Sequence, residues 1–327
     1  MIIPCRVLGT GSALPSRVVT TDELLPIAFP GRDPVEMRAK VGIRTRYWLG
    51  EGDSATSLCV AAVRQALDMA QMPANELARI LFVTQTGGDY GIPANANHVA
   101  AALEIDDTYD AFDLNNTCTG FLTGLDIAAR SVATGMGPVA VIAVETFSRH
   151  LTPQDPRAMM VFADGAAACI VGPSNQPEEG VLAVHLRNNA VLRGRILHAH
   201  PQPGLYYQFA PSGKELADAA IACIGGASRT VMAEAGRSPS EVDWFLPHQP
   251  NGPLFAGIAT AAGFGPEKLF PVVDEVGSLG AASSPYSLDK AIRAGAVRSG
   301  QTLLLAAVGS GTSYGAVLLG TRPAANW

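Results

Sequence analysis

The chain has 327 residues, 48% apolar and 16% charged, with a mean hydropathy of +0.19; this excludes intrinsic disorder and allows two domains or two fused halves with a sizeable core. Lys and Arg number 23 against 29 Asp and Glu, a net charge of −6 with no basic run, which excludes nucleic-acid binding as the main role. No apolar stretch approaches the roughly 18 residues that span a bilayer, and the start from Ile2 to Gly9 lacks the marks of a secretory signal, so a cytoplasmic protein with reduced thiols and no membrane insertion is expected.

In chain order, short runs rich in Val, Ile and Leu alternate with longer Ala-rich segments of helical period. Helical spacing falls on 56–69, 95–103, 119–134, 214–235, 252–262 and 284–294. Strands buried on both faces are predicted over 80–83, 139–144, 166–171, 244–246 and 303–308. The alternation specifies an α/β protein. An ordered echo links the halves: Glu76 to Leu81 resembles Glu241 to Leu246, and Gly165 to Ile170 resembles Gly315 to Gly320, with Pro173 and Pro323 following. A duplicated α/β unit divided in the polar stretch from Pro173 to Gly180 is expected, as halves 1–173 and 174–327.

Five cysteines (Cys5, Cys59, Cys118, Cys169, Cys223) stand 51 to 59 residues apart, without a CxxC pair or His at zinc spacing, so neither a disulfide framework nor a metal site is expected. Four lie in apolar surroundings and read as core residues. Cys118 differs. In Asp113-Leu114-Asn115-Asn116-Thr117-Cys118-Thr119-Gly120-Phe121, a short strand leads through a tight polar turn into a helix whose apolar face carries Phe121, Leu125, Ala128 and Val132. A sulfur at a helix N-terminus is expected to have a lowered pKa and to serve as a nucleophile, the cysteine counterpart of a serine elbow.

His248 follows the predicted strand 244–246, at the strand end where open α/β sheets place ligands, and suits a base or hydrogen-bond donor for Cys118. His98, His150, His185, His198 and His200 are assigned no role. Glu275 to Pro285 is a run of small residues entering a helix, and Gly309-Ser310-Gly311-Thr312-Ser313-Tyr314-Gly315 is a turn between two apolar strands. Backbone amides of that turn, beside the Cys118 amide, suit an oxyanion hole for a thioester carbonyl.

Together these motifs resemble the thiolase superfamily, nearest its β-ketoacyl-acyl-carrier-protein synthase III group. The resemblance covers essentially the whole chain: Val41 to Arg46, the Cys118 elbow, Phe162 to Ala167, His248 to Asn251, Gly277 to Ser283 and Gly309 to Gly315. It implies a five-layered αβαβα fold of two similar halves, a homodimer, and ping-pong acyl transfer from a CoA or acyl-carrier-protein thioester, with no cofactor beyond those substrates. The family's Cys and His carry over onto Cys118 and His248, and the oxyanion hole onto the amides of Cys118 and Gly311. The family's third residue, an Asn, falls at Ser278, a shorter side chain with one donor, which weighs against decarboxylative condensation and not against acylation of Cys118. Other departures are Glu36 at the position of a CoA-stacking Trp, Lys40 at a neighbouring basic position, and Pro253 where an Arg often docks the carrier or CoA. Ile92 takes the position, commonly Phe, that closes the partner subunit's acyl pocket, and implies room for a longer or branched acyl chain.

The sequence thus reads as an acyltransferase in fatty-acid-like or secondary-metabolite biosynthesis. The alternatives are a non-catalytic, acyl-binding partner subunit of a ketosynthase heteromer, or a cysteine-dependent thioesterase.

Overall fold

Successive side chains of the strand Arg79–Val83 enter two different cores. Ile80 and Phe82 pack with the helix Ala55–Ala70, whereas Leu81 and Val83 pack with Phe121, Leu122 and Leu125 of the helix Gly120–Ala133. Neither face meets water, so the strand reads as a continuous apolar run instead of alternating. The same division holds in Val139–Glu145, with Val139, Val141 and Ala143 on one side and Ala140, Ile142 and Val144 on the other.

The structure is a computed structural model and describes residues 2–176, 178–192, 196–197, 208–209 and 213–321. One five-stranded sheet has the spatial order Arg6–Ala13, Gly165–Gly172, Val139–Glu145, Arg79–Val83, Asp110–Leu114. A second has the order Ile3–Pro4, Gly180–Asn188, Ser313–Gly320, Thr302–Gly309, Trp244–Pro247. Arg79–Val83 is parallel to both its neighbours, and Trp244–Pro247 is parallel to Thr302–Gly309.

Three apolar cores separate these sheets into layers. The helices Gly120–Ala133 and Ser283–Arg293 lie between them, contributing Phe121, Leu125, Leu288 and Ile292 to a core that includes Val141 and Cys169 of one sheet and Leu305 and Val317 of the other. Ala55–Ala70 and Asn95–Ala102 cover the outer face of the first sheet. Gly213–Glu234 and Gly252–Ala262 cover that of the second through Ile224, Val231, Ile258 and Ala262 on Phe245, Leu304 and Leu318. The order is helix, sheet, helix, sheet, helix, as the resemblance implies.

Buried polar groups tie the middle layer down. The fully buried Asp289 accepts hydrogen bonds from the Thr10 hydroxyl (2.9 Å), the Ser12 hydroxyl (2.6 Å) and Arg293 Nε (2.8 Å), fixing Ser283–Arg293 against Arg6–Ala13. Every carboxylate oxygen is thereby satisfied, which makes the burial affordable.

The predicted strands and helices all appear, with ends moved by one or two residues. The structure adds strands at Arg6–Ala13 and Gly180–Asn188, a hairpin of Arg17–Thr20 with Thr45–Trp48, and the helices Thr21–Ala28 and Pro34–Val41. Ile3–Pro4 pairs with Gly180 and Val181, so the first residues of the chain extend the second sheet. Gly213–Glu234 is long and apolar enough by length and composition to cross a membrane; its buried residues, among them Ile224, Ala227, Val231 and Met232, account for that apolar character by packing on the sheet. His198 and His200 lie outside the described residues.

Candidate active site

Cys118 occupies a tight turn, Thr117–Thr119, between the strand Asp110–Leu114 and the helix Gly120–Ala133. Thr117 sits at φ 48°, a left-handed conformation that costs a non-glycine residue about 1–3 kcal/mol and survives only where surrounding contacts hold it. One such contact is its hydroxyl on the Ser310 carbonyl, at 3.2 Å. Gly309 permits that approach: a Cβ there would overlap the Thr117 hydroxyl and lie 2.9 Å from the Cys118 amide nitrogen. The C-terminal glycine turn is thereby pressed onto the elbow, although nearly two hundred residues separate them in sequence.

His248 follows Trp244–Pro247, and its amide donates to the Ala306 carbonyl at 2.7 Å, carrying the ladder one residue past the strand. Gln249 fixes the loop beyond. Its Oε1 accepts from the amides of Val272 (2.9 Å) and Val273 (3.1 Å), and its Nε2 donates to the Phe270 carbonyl at 2.9 Å. Asn251 caps Gly252–Ala262, its Oδ1 accepting from the Leu254 amide at 2.9 Å. Ser278 is threaded against 161–163, its amide donating to the Val161 carbonyl (2.9 Å) and its carbonyl accepting from the Ala163 amide (3.0 Å).

Cys118, His248 and Ser278 open onto one cavity of about 730 Å³. Met37, Met160, Leu216, Ile221 and Leu254 supply apolar wall, and Arg32, Lys40 and Arg157 supply positive charge. Arg32 and Lys40 are exposed and mark its solvent side; His248 and Ser278 are buried and belong to its interior. Neither ring nitrogen of His248 nor the Ser278 hydroxyl makes a hydrogen bond of good geometry to protein, so these polar atoms are free to meet a substrate. Gly309, Ser310 and Thr312 also line the cavity.

Burial governs the charge state of the pair. It pushes the Cys118 thiol up to about 12; a hydrogen bond from Gln85 works against this, and the Glu145 carboxyl adds to the rise. It pushes His248 down to about 4, opposed weakly by the Val308 backbone. The lowered thiol pKa expected from the helix N-terminus is therefore corrected. The helix proper begins at Gly120, and Cys118 is half-buried; a helix terminus supplies about 1 kcal/mol, and desolvation of the sulfur outweighs it. The resting pair is a neutral thiol and a neutral imidazole.

Two residues that the sequence reading missed stand behind the sulfur. Gln85 Nε2 is 3.4 Å from Cys118 Sγ and 3.2 Å from the carboxylate of Glu145, which is fully buried. Both lie just after or at the C-terminal ends of parallel strands, the one signal that marked them. Ile92 lies away from these groups, its side chain 92% exposed. Among the described residues, no group of three or more His, Cys, Asp or Glu side chains is arranged to hold a metal.

Comparison with known proteins decides the family. Residues 112–190 match the family described as 3-oxoacyl-[acyl-carrier-protein] synthase III, and residues 232–321 match its C-terminal counterpart. The chain is 34% identical over 317 residues to the β-ketoacyl-[acyl-carrier-protein] synthase III of Rhizorhabdus wittichii, covering 96% of this chain and 98% of that protein. The chain belongs to the 3-oxoacyl-[acyl-carrier-protein] synthase III family. Within the thiolase superfamily, this makes it an acyl-thioester-forming acyltransferase of the condensing-enzyme type. The synthase III of Pseudomonas aeruginosa PAO1 superposes with a TM-score of 0.90 at 28% identity, over 98% of this chain and 99% of that one. The priming β-ketosynthase of the R1128 polyketide pathway superposes with a TM-score of 0.88 at 28% identity, over 98% and 97% of the two chains.

Proposed function

We propose that this member of the family passes an acyl group from a CoA or carrier-protein thioester through Cys118 to a second substrate. The observation that carries this reading is the convergence of Cys118, His248 and Ser278 on an apolar cavity with cations on its solvent side. The apolar wall suits an acyl chain, and Arg32, Lys40 and Arg157 suit the phosphates of CoA or of a carrier's phosphopantetheine arm.

In the first half-reaction His248, held neutral, takes the thiol proton as Cys118 Sγ attacks the thioester carbonyl. The amides of Cys118 and Gly311 receive the oxyanion. Collapse of the tetrahedral intermediate breaks the donor's C–S bond, and the departing thiolate takes the proton back from His248. In the second half-reaction the acceptor attacks the acyl-Cys118 carbonyl and sulfur leaves.

Ser278 shapes the choice of acceptor. Decarboxylative condensation develops an enolate that needs donors, and Ser278 offers one short hydroxyl where the family has an amide. The Asn251 oxygen is committed to capping a helix, which ties the side chain to that role. We therefore favour specialised acyl transfer or condensation in secondary metabolism over the opening step of fatty-acid synthesis; with a hydroxyl, amine or thiol acceptor, His248 takes the acceptor proton directly. The same reading makes the protein a cytoplasmic homodimer of two-half subunits, 1–173 and 174–327, in which the exposed Ile92 reaches the partner's acyl pocket, with no metal or prosthetic group.

The test is release of the acyl group from loaded protein. Release only when malonyl-thioester or a nucleophilic acceptor is added supports transfer; equal release into buffer makes the protein a thioesterase, and failure to load makes it a non-catalytic subunit.

A further inference from the structure

Glu145 ends a strand whose other six residues are apolar, and its carboxylate is fully buried. Its partners among the described residues are neutral donors: the Gln85 amide nitrogen (3.3 Å), Gln85 Nε2 (3.2 Å), the Ala281 amide nitrogen (3.2 Å) and the Thr86 hydroxyl. A carboxylate in such a place must use every donor it meets.

Gln85 Nε2 carries two N–H groups, and two acceptors stand before it, Glu145 Oε1 at 3.2 Å and Cys118 Sγ at 3.4 Å. The reversed amide would set its oxygen 3.2 Å from the carboxylate oxygen, acceptor against acceptor, with another acceptor facing the sulfur. Burial raises the Glu145 carboxyl to about 8; in its ionised form, the carboxylate dictates which end of the amide the sulfur sees. Space for this is reserved by Gly280, where a Cβ would fall 2.9 Å from Gln85 Nε2 and 2.9 Å from the Phe147 ring.

We propose that Gln85 is a catalytic residue that donates an N–H to the Cys118 sulfur whenever it carries negative charge, and that Glu145 is a positioning residue that holds the Gln85 amide in the donating orientation. The inference rests on Cys118 being the nucleophile. An N–H aimed at sulfur favours thiolate over thiol, so it assists attack on the donor thioester. It assists again at deacylation: when the acceptor has added to the acyl carbonyl, the C–S bond breaks, its electron pair returns to Sγ beside the Gln85 N–H, and the acceptor's proton, where it has one, goes to His248.

The test follows alkylation of Cys118 by iodoacetamide against pH, read by peptide mass spectrometry so that the half-buried Cys223 is counted separately. Gln85→Met and Gln85→Leu keep bulk and remove the donor. Each is expected to slow Cys118 alkylation about tenfold at a fixed pH of about 8, measured at a temperature where parent and variant are both folded, since Glu145 loses a donor and the melting temperature falls. A profile superimposable on the parent's would overturn the role of Gln85.

Glu145→Gln, made in both backgrounds, tests the positioning role. Where residue 85 is Met only the lost charge is felt, so the Cys118 titration should fall; where Gln85 is present the freed amide offsets this, and the fall should be smaller or reversed. Equal changes in the two backgrounds would show that Glu145 does not act through Gln85. Should the residue 85 variants fail to fold, a crystal structure of the parent decides: Nε2 between Sγ and Glu145 is expected, and an amide turned away from the sulfur would end the proposal. Alkylation needs no acyl donor, so its failure is separate from a failure of Cys118 to accept acyl groups.

Discussion

Cys118 and His248 share one cavity and are displaced toward neutrality from opposite sides, the thiol raised to about 12 and the imidazole lowered to about 4. A preformed thiolate–imidazolium pair is thus replaced by two uncharged groups. His248 acts as a base from rest, and proton transfer accompanies attack.

The acid limb of activity reports this directly. Rate should stay level as pH falls through 6.5, where an unperturbed histidine titrates, and drop only near 4. The linked effect on stability has a definite sign. An unfolded histidine binds its proton near 6.5 and the folded one only near 4, so the unfolded state holds more protons across that window. The stability contribution is complete above 6.5 and is lost as pH falls to about 4, by about 3 kcal/mol in all. Urea midpoints at pH 7 and pH 4.5 should converge in His248→Phe relative to the parent; an equal acid loss in both proteins would contradict a depressed His248.

Gly309 holds the elbow and the C-terminal turn at contact distance. Gly309→Ala places a methyl group in the space of the Thr117 hydroxyl and 2.9 Å from the Cys118 amide nitrogen, so the elbow must shift to admit it. A destabilisation of about 2–4 kcal/mol is expected, together with loss of acylation even where the protein still folds. Thermal melting and acyl loading measure the two effects. Parent-like loading would show that the Gly309 approach does not shape the nucleophile.

Ser278 is tested by gain as well as loss. Ser278→Ala should leave loading of Cys118 within about threefold, because that step uses the thiol, the base and backbone amides. Ser278→Asn should raise malonyl-thioester decarboxylation by at least about tenfold, one added charge-assisted hydrogen bond to the enolate being worth about 1.5 kcal/mol or more. Carbon dioxide release is the readout. Efficient decarboxylation by the parent would remove Ser278 as the cause of any divergence.

How far the sequence was legible follows from how local each signal is. The strands at 80–83, 139–144 and 303–308 announce themselves because burial on both faces leaves an unbroken apolar run. Arg6–Ala13 does not, since Gly9, Thr10, Gly11 and Ser12 answer to partners far along the chain: the backbone of Ala55–Ala70 crowds both glycines, and Asp289 takes both hydroxyls. Thr21–Ala28 buries Thr21, Leu24, Leu25 and Ala28 on one face but is only eight residues long and interrupted by Pro26, and Pro34–Val41 has four charged or proline positions and no helical stripe.

The site divides in the same way. Cys118 and His248 stood out because each sits in a turn whose residues are themselves unusual. Glu145 and Gln85 did not, because an acid after an apolar strand also describes a solvated strand end, and their pairing spans 60 residues of chain. The direction of the thiol pKa was misread for a related reason: the elbow alone predicts a lowering, and the burial that reverses it involves neighbours distant in sequence, such as the Gly309 turn and Gln85.

The central claim is that Cys118 carries the acyl group. Intact-protein mass spectrometry after incubation with a panel of acyl-CoA and acyl-carrier-protein thioesters, with Cys118→Ala alongside, tests it most directly. The account predicts an adduct of one acyl group per chain on the parent and none on Cys118→Ala. No adduct with any donor, or an equal adduct on the variant, would contradict it.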